Sequence, residues 1–262
     1  MLANPAYDVA LILDQGQREN QEDAVASRMF DASDAAYIVV ADGMGGHDAG
    51  EVAAEFVINA WREALDPELE TKSPSESNLI DALPLAAMLA NAAVSNHCEE
   101  QGQGLQMGST LLGVLILGRR VFWISIGDSP LYLYRDGTLS QINEDHSMAP
   151  LIDAQVTEGT LTEDEARTHP DRNQLTSVIM GRAIPKVDCP EDPVALEGTD
   201  VLIAGSDGLQ YITDAEILAV LQANSNALAQ DIADALLQAV KAKNDPDQDN
   251  VSIGVVKLTK NE

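Results

Sequence analysis

Apolar runs that end in aspartate-bearing turns recur along this 262-residue chain. Tyr37 to Ala41 reads as a short buried strand that delivers Asp42 at its end. The glycines of Asp42-Gly43-Met44-Gly45-Gly46 then predict a tight turn and a close backbone approach. Ala49 to Leu65 follows with apolar residues at 53, 56, 57, 60, 61 and 64, the spacing of one helical face. Val201 to Ala204 leads into Gly205-Ser206-Asp207-Gly208, Val121 to Ile126 closes on Gly127-Asp128-Ser129, and Asp249-Asn250 precedes the alternating run Val251 to Leu258.

The remaining pattern fills in the architecture. A polar loop, Asp66 to Asn78, leads to a second helix over 79–98, with Pro84 marking its first turn or a kink. Thr110 to Leu117, Val121 to Ile126, Leu131 to Arg135 and Leu139 to Ile142 predict consecutive strands, and Asp136-Gly137 predicts a two-residue hairpin. Residues 146–180 form a polar, helical insertion with few large apolar side chains, so they add little to a core. Thr162-x-x-Glu165 and Thr213-x-x-Glu216 match capping boxes, and Asn226 to Lys243 predicts the last long helix. Hairpin strands segregated from helices predict an α+β fold rather than a parallel βαβ sheet.

Composition narrows the function classes. Hydrophobic residues make up 45% of the chain, which argues against disorder. Asp and Glu total 43 against 15 Lys and Arg, a formal net charge of −28. That balance argues against nucleic acid or an anionic membrane as partner, and reads as a solvated acidic surface. No apolar run approaches the ~18 residues of a membrane span, and the amino terminus lacks the basic flank and apolar core of a signal peptide. Two cysteines, Cys98 and Cys189, are too few for a disulfide framework, so a reducing cytoplasm is expected.

An Asp-Gly pair is by itself equally a plain turn. Several such turns, rich in oxygen ligands and without His or Cys clustering, favour Mg²⁺ or Mn²⁺ over zinc or copper. In order, Arg18 to Asp23, Ala41 to His47, Gly108 to Leu111, Ile126 to Ser129, Asp145 to Ser147, Ser206 to Leu209 and Asp249 to Ser252 resemble the metal-dependent Ser/Thr protein phosphatases (PPM, type 2C). The resemblance runs from about residue 8 to 258, and its Gly-Gly-His form is similar to the bacterial branch.

That resemblance implies a four-layer α-β-β-α sandwich of two antiparallel sheets, in one catalytic domain over 1–262 with a flap at about 146–180. It implies two Mn²⁺ or Mg²⁺ ions in the core site. Asp42 would bridge both and Gly43 would add its carbonyl; Asp207 and Asp249 would complete one ion, Asp23 would act at the other, and Glu22 would act through water. A water between the ions would attack phosphorus directly. Asp128, with Asp207, would hold a weaker third ion, although Tyr211 stands where some relatives have a further Asp. Arg18 is the expected phosphate clamp, because its planar fork pairs two phosphoryl oxygens. His47 is a candidate general acid; Met44 occupies the place of the eukaryotic-type His, so metal-bound water or solvent is the alternative donor. His146 is expected to anchor the insertion, Ser109 and Thr110 to pack a strand start, and Pro130 stands where many relatives have Arg. Phosphorylated proteins are the implied substrates, with room for a partner Ser/Thr kinase. A phosphoprotein-binding pseudophosphatase and a hydrolase of small phosphate esters are the alternatives.

Overall fold

The computed structural model describes residues 7–30, 33–46, 49–71, 73–102 and 104–258. One antiparallel sheet has the order β1 (Tyr7–Asp14), β11 (Val251–Leu258), β10 (Val201–Gly205), β7 (Leu131–Arg135) and β8 (Thr138–Gln141). The other runs β2 (Asp23–Phe30), β3 (Ala35–Gly45), β5 (Leu111–Leu117), β6 (Arg120–Ile126) and β9 (Val194–Ala195), with β4 (Met107–Ser109) paired to the end of β3. Helices α1 (Ala49–Leu69) and α2 (Glu76–Gln101) cover the β3 sheet, and α5 (Asp214–Ala223) and α6 (Ala229–Lys241) cover the β11 sheet. The expected four-layer sandwich is present.

Side-chain alternation builds these layers. Tyr37 and Val39 of β3 face α1 and α2 beside Trp61, Leu65 and Leu83, whereas Ile38 and Val40 face the other sheet beside Leu131, Leu202 and Val256. Both faces of the strand are dry, so the central strands read as continuous apolar runs rather than alternating ones. A third apolar layer joins Ile203, Ile253 and Val255 to Ile232 and Leu236 of α6.

Several boundaries differ from expectation. The strand through Asp42 does not end there but continues to Gly45, because Gly43 to Gly45 pair with Ser109 to Met107. These glycines are extended; their value is the missing side chain, since a Cβ on Gly43 would lie 2.0 Å from the Gly50 carbonyl in α1. α2 starts at Glu76, where Ser75 accepts from the Asn78 N–H, so Pro84 lies beyond the first turn. By length and composition α2 could cross a bilayer, yet its Leu79, Leu83, Ala86, Ala90 and Val94 are buried in the core cluster shared with α1 and the β3 sheet. β1 and β2, not anticipated, flank the Arg18 loop.

The hairpin at Asp136-Gly137 forms with positive φ at both residues (49° and 80°). Both capping boxes form, at Thr162 and Thr213. The insertion contains α3 (Ala149–Thr157) and α4 (Glu163–Arg167); it buries Ile152, Ala166 and Ile179 and leaves Leu151 exposed.

Candidate metal centre

Strand register brings the carboxylates together. Asp23 and Asp42 are directly opposed in the β2–β3 ladder, an arrangement of like charges that destabilises a sheet unless something compensates it. Gly205 pairs with Ile253, so Asp207, just past β10, and Asp249, just before β11, emerge at the same end of their sheet. Asp128 sits in the turn from β6 to β7, whose Gly127 adopts φ 111°. There a Cβ would come within 2.5 Å of the Thr110 methyl group, so the tight turn requires glycine.

Neighbouring hydroxyls hold this rim. The buried Asp23 carboxylate accepts from Ser206 Oγ at 2.6 Å and Ser252 Oγ at 2.9 Å, which ties it to the opposite sheet. The Asp42 N–H donates to Thr110 Oγ1 at 3.0 Å, and Thr110 Oγ1 lies 2.9 Å from Ser129 Oγ beside Asp128. Thr110 therefore joins two of the acidic positions as well as packing the strand start. Ser206, Ser252 and Thr110 stand inside the sequence motifs, but nothing in a linear pattern shows what a hydroxyl will touch.

Electrostatics report the crowding. Burial, then the Asp207 and Asp23 charges, push the Asp42 carboxyl far above the usual range. Burial raises Asp23 to about 7 against the pull of its two serines, and Asp207 and Asp249 add to the rise. Asp128 rises to about 8 through burial and then Asp207, and Asp207 to about 6 through burial and then Asp249. Such a basin holds protons or cations at neutral pH. Among the described residues, however, no three acidic, imidazole or thiol groups stand gathered as a closed ligand set. The two observations fit an open basin, with Asp23 turned to its serines and Asp249 turned to Arg18. Mg²⁺ and Mn²⁺ suit that arrangement, because Mg²⁺-type sites use few carboxylates and keep several waters. The donors are all oxygens, which fits these ions.

The other expected residues take distinct places. Arg18 is exposed and pairs with Asp249 at 2.5 Å, so it lies at the basin edge. The Glu22 carbonyl accepts from the Gly43 N–H at 3.1 Å, and its carboxylate lies against Gly50 at the start of α1. His47 falls outside the described residues. His146 is buried and accepts the Gly127 N–H at Nδ1 (3.3 Å), tying the start of the insertion to the Asp128 turn. Tyr211 donates to the Asp247 carbonyl. A cleft of 480 Å³ opens from Arg18, Asp128, Asp207 and Asp249 toward Ser147 and Arg172 of the insertion.

Two sheets packed between helix pairs, with an oxygen-only basin at one rim, make this an α+β sandwich suited to divalent cations. The sequence matches the protein phosphatase 2C family over residues 15–240, and the chain belongs to that family. It is 35% identical over 207 residues to the serine/threonine protein phosphatase PstP of Mycobacterium tuberculosis, covering 78% of this chain and 37% of that protein. The chain thus spans little more than a third of that relative's length. It is 27% identical over 256 residues to the protein phosphatase PhpP of Streptococcus pneumoniae, covering 96% of this chain and 97% of that one. The solved structure of the PstP catalytic domain in complex with two manganese ions matches with a TM-score of 0.74 at 29% identity, covering 97% and 99% of the two chains.

Proposed function

We propose that the protein is a Mn²⁺- or Mg²⁺-dependent phosphatase of phosphoserine and phosphothreonine in proteins. The observation that carries this reading is the convergence of Asp23, Asp42, Asp128 and Asp207 with raised proton affinity on one open rim. Asp42 would face both core ions with the Gly43 carbonyl beside it; Asp207 and Asp249 would complete one, and Asp23 the other, with Glu22 acting through water. Asp128 and Asp207 would hold a weaker third ion. When bound, the ions supply an activated water as nucleophile and counter-charge for the phosphoryl oxygens.

The chain's own groups do the rest. Arg18 would exchange its Asp249 partner for two phosphoryl oxygens, a bidentate contact that orients the ester. Ser206 and Ser252 both donate to the same oxygen of Asp23, so its other oxygen would be the one to meet an ion. The insertion, read as a flap of one catalytic domain, forms a wall of the cleft along which a protein substrate would lie. His47 remains our candidate proton donor to the leaving hydroxyl. Two free cysteines agree with a cytoplasmic setting. With excess Mn²⁺, a phosphothreonine peptide should be hydrolysed well in preference to a nucleotide; preference for the nucleotide would overturn the protein-substrate assignment.

A further inference from the structure

The segment between β1 and β2 carries Arg18 and is irregular, yet one side chain fixes its backbone from outside. Asn250, 4% exposed, donates through Nδ2 to the carbonyls of Gln15 (2.8 Å) and Asn20 (3.0 Å). Its Oδ1 accepts the Glu22 N–H at 2.7 Å. Both donor hydrogens and the acceptor of the carboxamide are thus spent on the loop. Two neighbouring features press the loop onto the same strand lead-in. The Gln17 N–H donates to the Gln248 carbonyl at 2.9 Å, and Gly16, at φ 62°, passes so close that a Cβ would lie 2.1 Å from the Asp249 carbonyl. From within the loop, the exposed Gln15 side chain donates to the carbonyls of Arg18 (2.9 Å) and Glu19 (2.8 Å).

Asp249 holds the Arg18 guanidinium while the next residue, Asn250, holds the backbone on either side of it. A loop already in its binding shape loses less freedom when ligand arrives, which raises affinity without adding a contact. We propose that Asn250, assisted by Gln15, is a positioning residue that keeps the 15–22 loop preformed and Arg18 aimed at the phosphoryl group. This rests on Arg18 being the phosphate-binding group.

The test is kcat and KM for a phosphothreonine peptide at saturating Mn²⁺, with Arg18→Ala, Asn250→Ala and Gln15→Ala, each alone and the last two combined with Arg18→Ala. Thermal melts and Mn²⁺ titrations accompany each variant. Asn250→Ala should raise KM about tenfold and Gln15→Ala about threefold, and neither should raise it further once Arg18 is gone, the signature of groups acting through a shared partner. Gln15 is exposed, so Gln15→Ala should melt as the wild type does and carries the test even if Asn250→Ala folds poorly. Equal KM increases with and without Arg18 would overturn the proposal. So would weakened Mn²⁺ binding at unchanged KM, which would make Asn250 a support for Asp249 alone. An Arg18→Ala variant with wild-type KM would instead remove the clamp, and the proposal with it.

Discussion

Replacing Asp42 by Asn should stabilise the metal-free protein while abolishing its response to Mn²⁺. Asp42 faces Asp23 across the ladder and is crowded by Asp207 and Asp128. At an effective dielectric of about 20 and a cross-strand separation of about 5 Å, the Asp23–Asp42 pair costs roughly 3 kcal/mol when both members are ionised. Protonation caps that cost, so one lost charge should return about 3 kcal/mol at pH 8, raising Tm by about 6–12 °C for a chain of this size. The pH dependence follows from the same groups. Asp23, Asp128 and Asp207 hold protons in the fold up to about 7, 8 and 6, against 3.8 for an ordinary Asp. Between these limits the native state binds more protons than the unfolded chain, so metal-free stability falls as pH rises from about 4 to 8. Buried His146 opposes this as a single group, because its lowered pKa adds stability as pH rises through the ordinary histidine range. Calorimetric melts of EDTA-treated wild type and Asp42→Asn at pH 5 and 8 make the measurement. The variant should gain at pH 8, gain little at pH 5, and show no Mn²⁺-induced rise. A lower Tm than wild type at pH 8, or the same shift at both pH values, would refute the crowded-carboxylate account.

Gly43→Ala should cost about 3 kcal/mol, because its Cβ meets backbone in α1 that has no slack, whereas Gly46→Ala, with nothing within 4 Å, should melt as wild type does. Comparable melting of both would show that β3 and α1 are not packed as described. Phosphatase activity removed by EDTA should return with Mn²⁺ or Mg²⁺ and hardly with Zn²⁺; full recovery with Zn²⁺ alone would contradict an oxygen-ligand site. Replacing residues 152–172 by a short Gly linker should leave the insertion's base closed by the Met148 N–H to Gln174 carbonyl bond of 2.9 Å. Turnover of protein substrates should then change far more than that of an aryl phosphate, and equal losses with metals still bound would tie the insertion to the chemistry itself.

What was legible in the sequence divides along physical lines. Strands buried on both faces, such as β5 and β6, announce themselves as near-continuous apolar runs, and the capped helices carry their own start signals at Thr162 and Thr213. β2 was silent because Asp23, Ser27 and Arg28 break its apolar pattern. The glycines after Asp42 resemble a turn in sequence because a small residue needed for close approach looks the same as one needed for a bend. Aspartates in ordered motifs marked the acidic rim. The groups that set their geometry, Thr110, Ser206, Ser252 and Asn250, gain meaning only from contacts distant in sequence, and those span up to 235 residues.

The most direct test of the central claim is phosphate release from a phosphothreonine peptide across a Mn²⁺ titration, comparing wild type with Asp42→Asn. Wild type should be silent with EDTA and rise to saturation with Mn²⁺, while Asp42→Asn, still folded, should stay near background at every Mn²⁺ concentration. Turnover by Asp42→Asn within tenfold of wild type, or hydrolysis by wild type that persists in EDTA, would contradict the account.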